Sequence, residues 1–172
     1  MHLSNIILIG MPGSGKSTIG IVLAKKTAKA FIDTDVMIQT NEGRSLQAII
    51  DSDGFMELRT IEARNLLTLN CADHVISTGG SAVYSDAAMT HLKSAGLTVF
   101  LNVNLITLKK RIRNYDTRGL AKRADQTFDD LFNERYSLYR KHADITIDSS
   151  DMAQEDVCEE IFNRIGAVTR NS

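Results

Sequence analysis

The chain has 172 residues, 43% hydrophobic and 24% charged, with a net charge of −1. That length suits one domain with a full core, and the balance is that of an ordinary globular protein. It excludes a global positive field for nucleic acid or membrane surfaces, and no apolar run reaches the roughly 20 residues that a membrane span needs.

Met1 to Asn5 is too short and too weakly basic for a signal peptide, so a cytoplasmic protein is expected. Asn5–Ile9 is an apolar strand. It runs into Gly10-Met11-Pro12-Gly13-Ser14-Gly15-Lys16-Ser17, the spacing G-x-x-x-x-G-K-S, and a helical stretch over Lys16–Lys29 follows. Strand, glycine loop and helix together make a phosphate-binding loop, with a nucleoside triphosphate and Mg²⁺ as the implied ligands. The glycines let backbone N–H groups approach phosphate oxygens, Lys16 adds a charge for the β- and γ-phosphates, and Ser17 offers a hydroxyl to the metal. Within the helix, Ile19, Val22 and Leu23 fall at i, i+3 and i+4 and are expected to face the core.

A second strand, Ala30–Asp33, closes on Asp33-Thr34-Asp35. At the carboxyl end of a parallel strand these carboxylates would face the same crevice as the loop. One could hold Mg²⁺ through water and the other orient or deprotonate an attacking hydroxyl. Equally, Asp33 or Thr34 could simply cap a helix starting near Val36. Helices follow over Ser45–Asp51 and Phe55–Leu69. Asp51-Ser52-Asp53-Gly54 matches D-x-x-G, but without an N-K-x-D partner it is read as a turn. Arg59 and Glu62 share a helix face and in isolation read as a surface i,i+3 ion pair.

The third strand, His74–Ser77, leads to Thr78-Gly79-Gly80-Ser81, either a tight turn or a place where backbone N–H groups meet a ligand. A helix over Asp86–Ala95, a strand over Leu97–Val103 and a helix over Leu105–Arg113 come next. Residues 109–123 hold seven cations against Asp116 alone. That stretch is consistent with a lid closing on phosphates at about 112–124, with a solvated helix face, or, more weakly, with a nucleic-acid patch. Thr127–Lys141 and Gln154–Ala167 are helical around a last strand, Asp144–Ile147. Cys71 and Cys158 lie far apart and read as reduced thiols, and the four histidines show no zinc spacing. The alternation predicts one α/β domain over 1–172, a three-layer α/β/α fold around a five-stranded parallel sheet.

From Ile6 to about Asp148 these pieces resemble the shikimate kinase family, small P-loop kinases of the nucleoside-monophosphate-kinase type. The resemblance rests on the phosphate loop, Asp33-Thr34-Asp35, Leu58-Arg59-Thr60-Ile61-Glu62, Gly79-Gly80, Arg118 and Arg135-Tyr136-Ser137-Leu138-Tyr139. It implies an ATP-dependent kinase acting on a hydroxyl of a small carboxylate, with shikimate as the leading acceptor. Another hydroxy acid, a sugar acid, a hydroxy amino acid, or a nucleotide-binding module without turnover are the alternatives.

On that resemblance Pro12, Gly13, Ser14, Gly15, Lys16, Ser17 and Thr18 would hold the nucleotide, with Arg111 stacking on adenine and Arg118 reaching the phosphates from the lid. Ser17 and Asp33 would serve Mg²⁺. Asp35, Arg59, Gly79, Gly80 and Arg135 would bind the acceptor from helices within about 34–62 and from beyond them. Lys16, Asp35 and Arg118 would be catalytic. The expected partners are ATP and the carboxylate alone, with no nucleic acid or membrane, and the chain is expected to act as a monomer. The sequence departs from the family pattern at Ser81, where a third glycine is usual, and at Gly119 and Ser137, where prolines are usual. Without those prolines the lid and the following helix are expected to be less constrained. Met152 stands where a basic residue is common.

Overall fold

The computed structural model describes residues 4–112 and 119–170, leaving Arg118 and most of the expected lid outside the described residues. Five strands pair in parallel in the order β2-β3-β1-β4-β5. They are β1 (Asn5–Ile9), β2 (Ala30–Asp33), β3 (His74–Ser77), β4 (Gly96–Asn102) and β5 (Ile145–Asp148). The predicted strands match these to within one residue at each end. Short, nearly unbroken apolar runs suit a sheet covered on both faces.

Alternation along the strands makes two cores. Ile6 and Leu8 pack with Val75, Val99 and Leu101 beneath helices α1 (Lys16–Thr27) and α8 (Gln154–Arg170). Ile7 and Ile9 pack with Ile76 and Phe100 on the opposite face, against α5 (Asp86–Ala95) and α7 (Phe128–His142). A third, smaller cluster, Ile38, Ile49, Leu58, Ile61 and Ala121, holds α2 (Thr34–Glu42), α3 (Leu46–Asp53) and α4 (Phe55–Thr68) together at one side of the crevice. Among the described residues α6 (Leu105–Arg111) completes the helices, and none is long and apolar enough to cross a membrane.

Two local expectations need correcting. Val22 is 39% exposed, and Gly20 and Ala24 take the buried face of α1 beside Ile19 and Leu23. The reason is room: a Cβ on Gly20 would meet Phe31 Cε2 at 2.5 Å, so α1 seats its narrowest residue against the sheet. α1 also stops at Thr27, because Ala28 turns left-handed (φ 53°) and its N–H closes on the Ala24 and Lys25 carbonyls.

Strand register positions the crevice. Leu8 is level with Ser77, and Ser77 with Asp33, so three strands end side by side. The chain leaves β1 for β2 on one side and later returns for β4 on the other, which places the open crevice above the end of β1.

Candidate active site

The loop after β1 is shaped by Gly13 (φ 82°) and Gly15 (φ 96°), conformations that a side chain would strain. Gly15 caps α1 without any side-chain hydrogen bond, so the helix presents its first N–H groups to the crevice. Lys16 is buried and donates to the carbonyls of Gly10 (2.8 Å) and Met11 (3.0 Å). Burial lowers its pKa to about 8 against the pull of Asp35, which favours the charge. Ser17 Oγ donates to Asp33 Oδ2 at 2.5 Å and lies 3.5 Å from Ser77 Oγ.

Asp33 fills the capping role and keeps its second carboxylate oxygen at the phosphate loop. Its Oδ1 accepts from the N–H groups of Asp35 and Val36 and caps α2, while its Oδ2 faces Ser17. Serine and carboxylate oxygens at a phosphate loop fit a hard divalent cation that keeps part of its water. Among the described residues no group of three His, Cys, Asp or Glu could hold a metal ion.

A cavity of about 290 Å³ opens beside this loop. Pro12, Gly13, Gly15, Lys16, Ser17, Thr18, Asp35, Gly80, Arg111 and Arg135 all line it, so ten predicted residues from five parts of the chain meet at one place. Ser14 lines an adjoining cleft with Arg111, Ser149 and Met152, and Arg111 Nη2 donates to the Ser150 carbonyl at 3.4 Å. Gly79 lies beneath the cavity, its N–H donating to Thr34 Oγ1 at 3.0 Å. A Cβ there would meet Asp35 Oδ1 at 2.6 Å and overlap Glu62 Oε1, so the bare backbone leaves room for two carboxyl groups to converge.

The surface ion pair read at Arg59 and Glu62 does not form. Glu62 is 3% exposed and accepts a short hydrogen bond from Ser81 Oγ at Oε2. Burial, with Asp35 nearby, raises its pKa to about 7. Arg59 turns the other way: its guanidinium lies 3.6 Å from the centre of the Tyr84 ring and donates to the Ala121 carbonyl at 3.1 Å. Arg135, 1% exposed, donates to the same carbonyl at 2.9 Å. The Nε atoms of both arginines are buried without a hydrogen-bond partner among the described residues. Arg59 does not line the cavity itself.

Glu62 is the residue that sequence reading misplaced, and the signal was present. Leu58, Ile61, Glu62, Asn65 and Leu66 repeat at i, i+3, i+4, i+7 and i+8, and all five are buried. A glutamate on that stripe is an inward one.

Gly119 also departs from expectation. It takes φ 65° and donates its N–H to Gln47 Oε1 at 2.8 Å, and a proline could do neither. At this end of the expected lid the backbone is hydrogen-bonded to α3. The basic stretch is partly neutralised by pairing, with Lys109 on Asp129 at 2.5 Å and Arg123 near Asp125 at 3.8 Å.

The family model for shikimate kinase matches residues 12–166. A shikimate kinase of Rhizobium meliloti (strain 1021) is 36% identical over 161 residues, 92% of this chain and 83% of its own length. The chain belongs to the shikimate kinase family. It is an ATP-dependent small-molecule kinase, with ATP as co-substrate. Among solved structures, a shikimate kinase from Acinetobacter baumannii in complex with shikimate superposes with a TM-score of 0.88 at 30% identity, covering 96% of this chain and 94% of its own. One from Aquifex aeolicus vf5 gives 0.83 at 33% identity, covering 96% and 98%. The fold of this family member is thus the five-stranded parallel P-loop kinase fold that its alternating sequence predicts.

Proposed function

We propose that this chain transfers the γ-phosphoryl group of ATP to the 3-hydroxyl of shikimate. The observation that carries the reading is one cavity in which Asp35 and Arg135 stand beside Lys16. Lys16, the loop N–H groups and Arg111 hold the nucleotide, with Ser14 on the side of the base and Arg118 as a further cation for the phosphates. Ser17 and Asp33 would hold Mg²⁺, which would offset phosphate charge during transfer. Arg135, which lines the cavity, takes the acceptor's carboxylate, and Arg59, held on the same Ala121 carbonyl, would have to turn from Tyr84 to join it; each has an unpartnered Nε, and a guanidinium fork suits a planar anion.

Asp35 accepts the proton of the attacking hydroxyl. That oxygen bonds to the γ-phosphorus as the bond to the β,γ-bridging oxygen breaks, and ADP departs. Gly79 and Gly80 let the acceptor lie against backbone. The single domain over 1–172 divides the work, with the helices of residues 34–62 on the acceptor side and a lid at about 112–124.

The reading includes a cytoplasmic monomer. Free thiols at Cys71 and Cys158 suit a reducing compartment, and the most exposed large apolar side chains, Ile21, Val36, Met56 and Ile106, sit on four different helices. Coupled ADP release tests the function against shikimate, gluconate, homoserine and nucleoside monophosphates. Release with shikimate at least a hundredfold above the others, on the order expected when a site's polar groups are matched, supports it. Release with another acceptor alone overturns the choice of acceptor, and release with none overturns the kinase reading.

A further inference from the structure

The carboxyl of Glu62 is held at one oxygen and open at the other. Oε2 accepts from Ser81 Oγ, while Oε1 is buried without a hydrogen-bond partner among the described residues. Both residues line the cavity. Oε1 converges with Asp35 Oδ1 over Gly79, where there is no room for even a methyl group. An unpartnered carboxyl oxygen in a buried polar cavity is costly unless a ligand donor meets it. A neighbour that fixes its twin oxygen decides where that donor must be.

We propose that Ser81 is a positioning residue for the acceptor: it anchors Glu62 so that Oε1 takes a hydrogen bond from a second hydroxyl, next to the one that Asp35 receives. The inference deepens the kinase reading and rests on this cavity being the acceptor site. It assigns to the Ser81–Glu62 pair a demand for an acceptor with two neighbouring hydroxyls, beyond the carboxylate recognised by the arginines. A glycine at position 81 would leave Glu62 without this anchor.

Burial raises the Glu62 midpoint most, and the charges around the pair act on it in opposite directions. Asp35 on α2 opposes ionisation of Glu62, whereas Arg135 on α7 and Lys16 on α1 favour it. Arg59 on α4 itself and Tyr139 on α7 also feel the Glu62 charge. The Ser81 hydrogen bond favours the ionised form, so losing it raises the Glu62 midpoint above about 7.

The test uses the full chain with Ser81→Ala and Ser81→Thr. Steady-state kinetics compare shikimate with its analogue lacking the hydroxyl on the carbon next to the phosphorylated one. Loss of one hydrogen bond to a charged group predicts that Ser81→Ala raises the KM for shikimate about tenfold. The KM for MgATP stays unchanged and kcat stays within about twofold, as expected for a lost binding contact. Preference for shikimate over the analogue shrinks in step, and Ser81→Thr, which keeps the hydroxyl, restores both. Carbon-13 NMR titration of the Glu62 carboxyl shows an upward shift in Ser81→Ala but not in Ser81→Thr.

An unchanged KM and discrimination in Ser81→Ala overturn the proposal, as does an unchanged Glu62 midpoint. A failure of the wild type to phosphorylate shikimate overturns the choice of acceptor instead. The NMR comparison then still decides whether Ser81 anchors Glu62.

Discussion

The two sides of the cavity are built by different means. On the proposed reading the donor side is mainly one continuous run, residues 10–18, built on backbone N–H groups, three glycines at positive φ and one lysine, with Arg111 joining it. The acceptor side gathers Asp35, Glu62, Ser81 and Arg135 from four separated parts of the chain, with three of the four nearly buried. A site made of backbone tolerates change in its side chains, because N–H groups do not titrate and need no partner to hold them. One made of buried charges is a coupled set, in which removing one member moves the others. Substitutions on the donor side should therefore act singly, and those on the acceptor side through their neighbours.

The largest effect should separate the two sides outright. Asp35→Asn is expected to lower kcat by about 10²–10⁴, the usual worth of a positioned base, with the KM for MgATP unchanged in initial-rate kinetics. A parallel rise in that KM would mean that the sides are not independent. Arg135→Lys replaces a buried fork by a point charge, and the KM for shikimate should rise about 10- to 100-fold, with a smaller loss in kcat. Gly79→Ala drives a methyl against Asp35 and Glu62. It should cost about 1–3 kcal/mol in denaturant unfolding, together with acceptor affinity, while nucleotide binding measured by calorimetry holds.

The donor side should show itself in pH. Burial lowers the Lys16 pKa to about 8, so its charge is lost in the free enzyme as pH rises through that value. The profile of kcat/KM for MgATP should fall above pH about 8. Bound phosphates favour the ammonium form, so the fall should move to higher pH in kcat. A fall at the same pH in both would place the titration elsewhere. The smallest change is at the tie between the two sides. Gly119→Ala should lower stability by about 1–2 kcal/mol, read as a fall in Tm, because φ 65° disfavours any side chain and Leu46 Cβ lies 2.7 Å from the new methyl.

This contrast also explains what the sequence reveals. The phosphate loop is legible because its chemistry is contiguous and its strand and helix adjoin it. β1, β3 and β4 are legible because strands covered on both faces leave unbroken apolar runs, whereas the edge strands β2 and β5 carry shorter and partly exposed ones. Arg135 is different: composition and spacing say nothing of it, and only the family motif singles it out. Glu62 was visible in the helical period, but a charged residue beside an arginine invites the surface reading. The Ala121 carbonyl, which receives both Arg59 and Arg135, had no signal at all, since a backbone oxygen, here 62 and 14 residues from its donors, leaves no trace in residue type. Gly119 was legible as a departure and not as a tie, because its partner Gln47 lies 72 residues away.

The level ending of Leu8, Ser77 and Asp33 has one more consequence. β3 lies between β1 and β2, so the two loops that carry donor and acceptor chemistry start two strand spacings apart, about 9.5 Å. The sheet is thus the gauge that sets the gap across which a phosphoryl group travels. A one-residue slip of β3 would turn Val75 and Ile76 to the wrong cores and shift the two loops relative to each other.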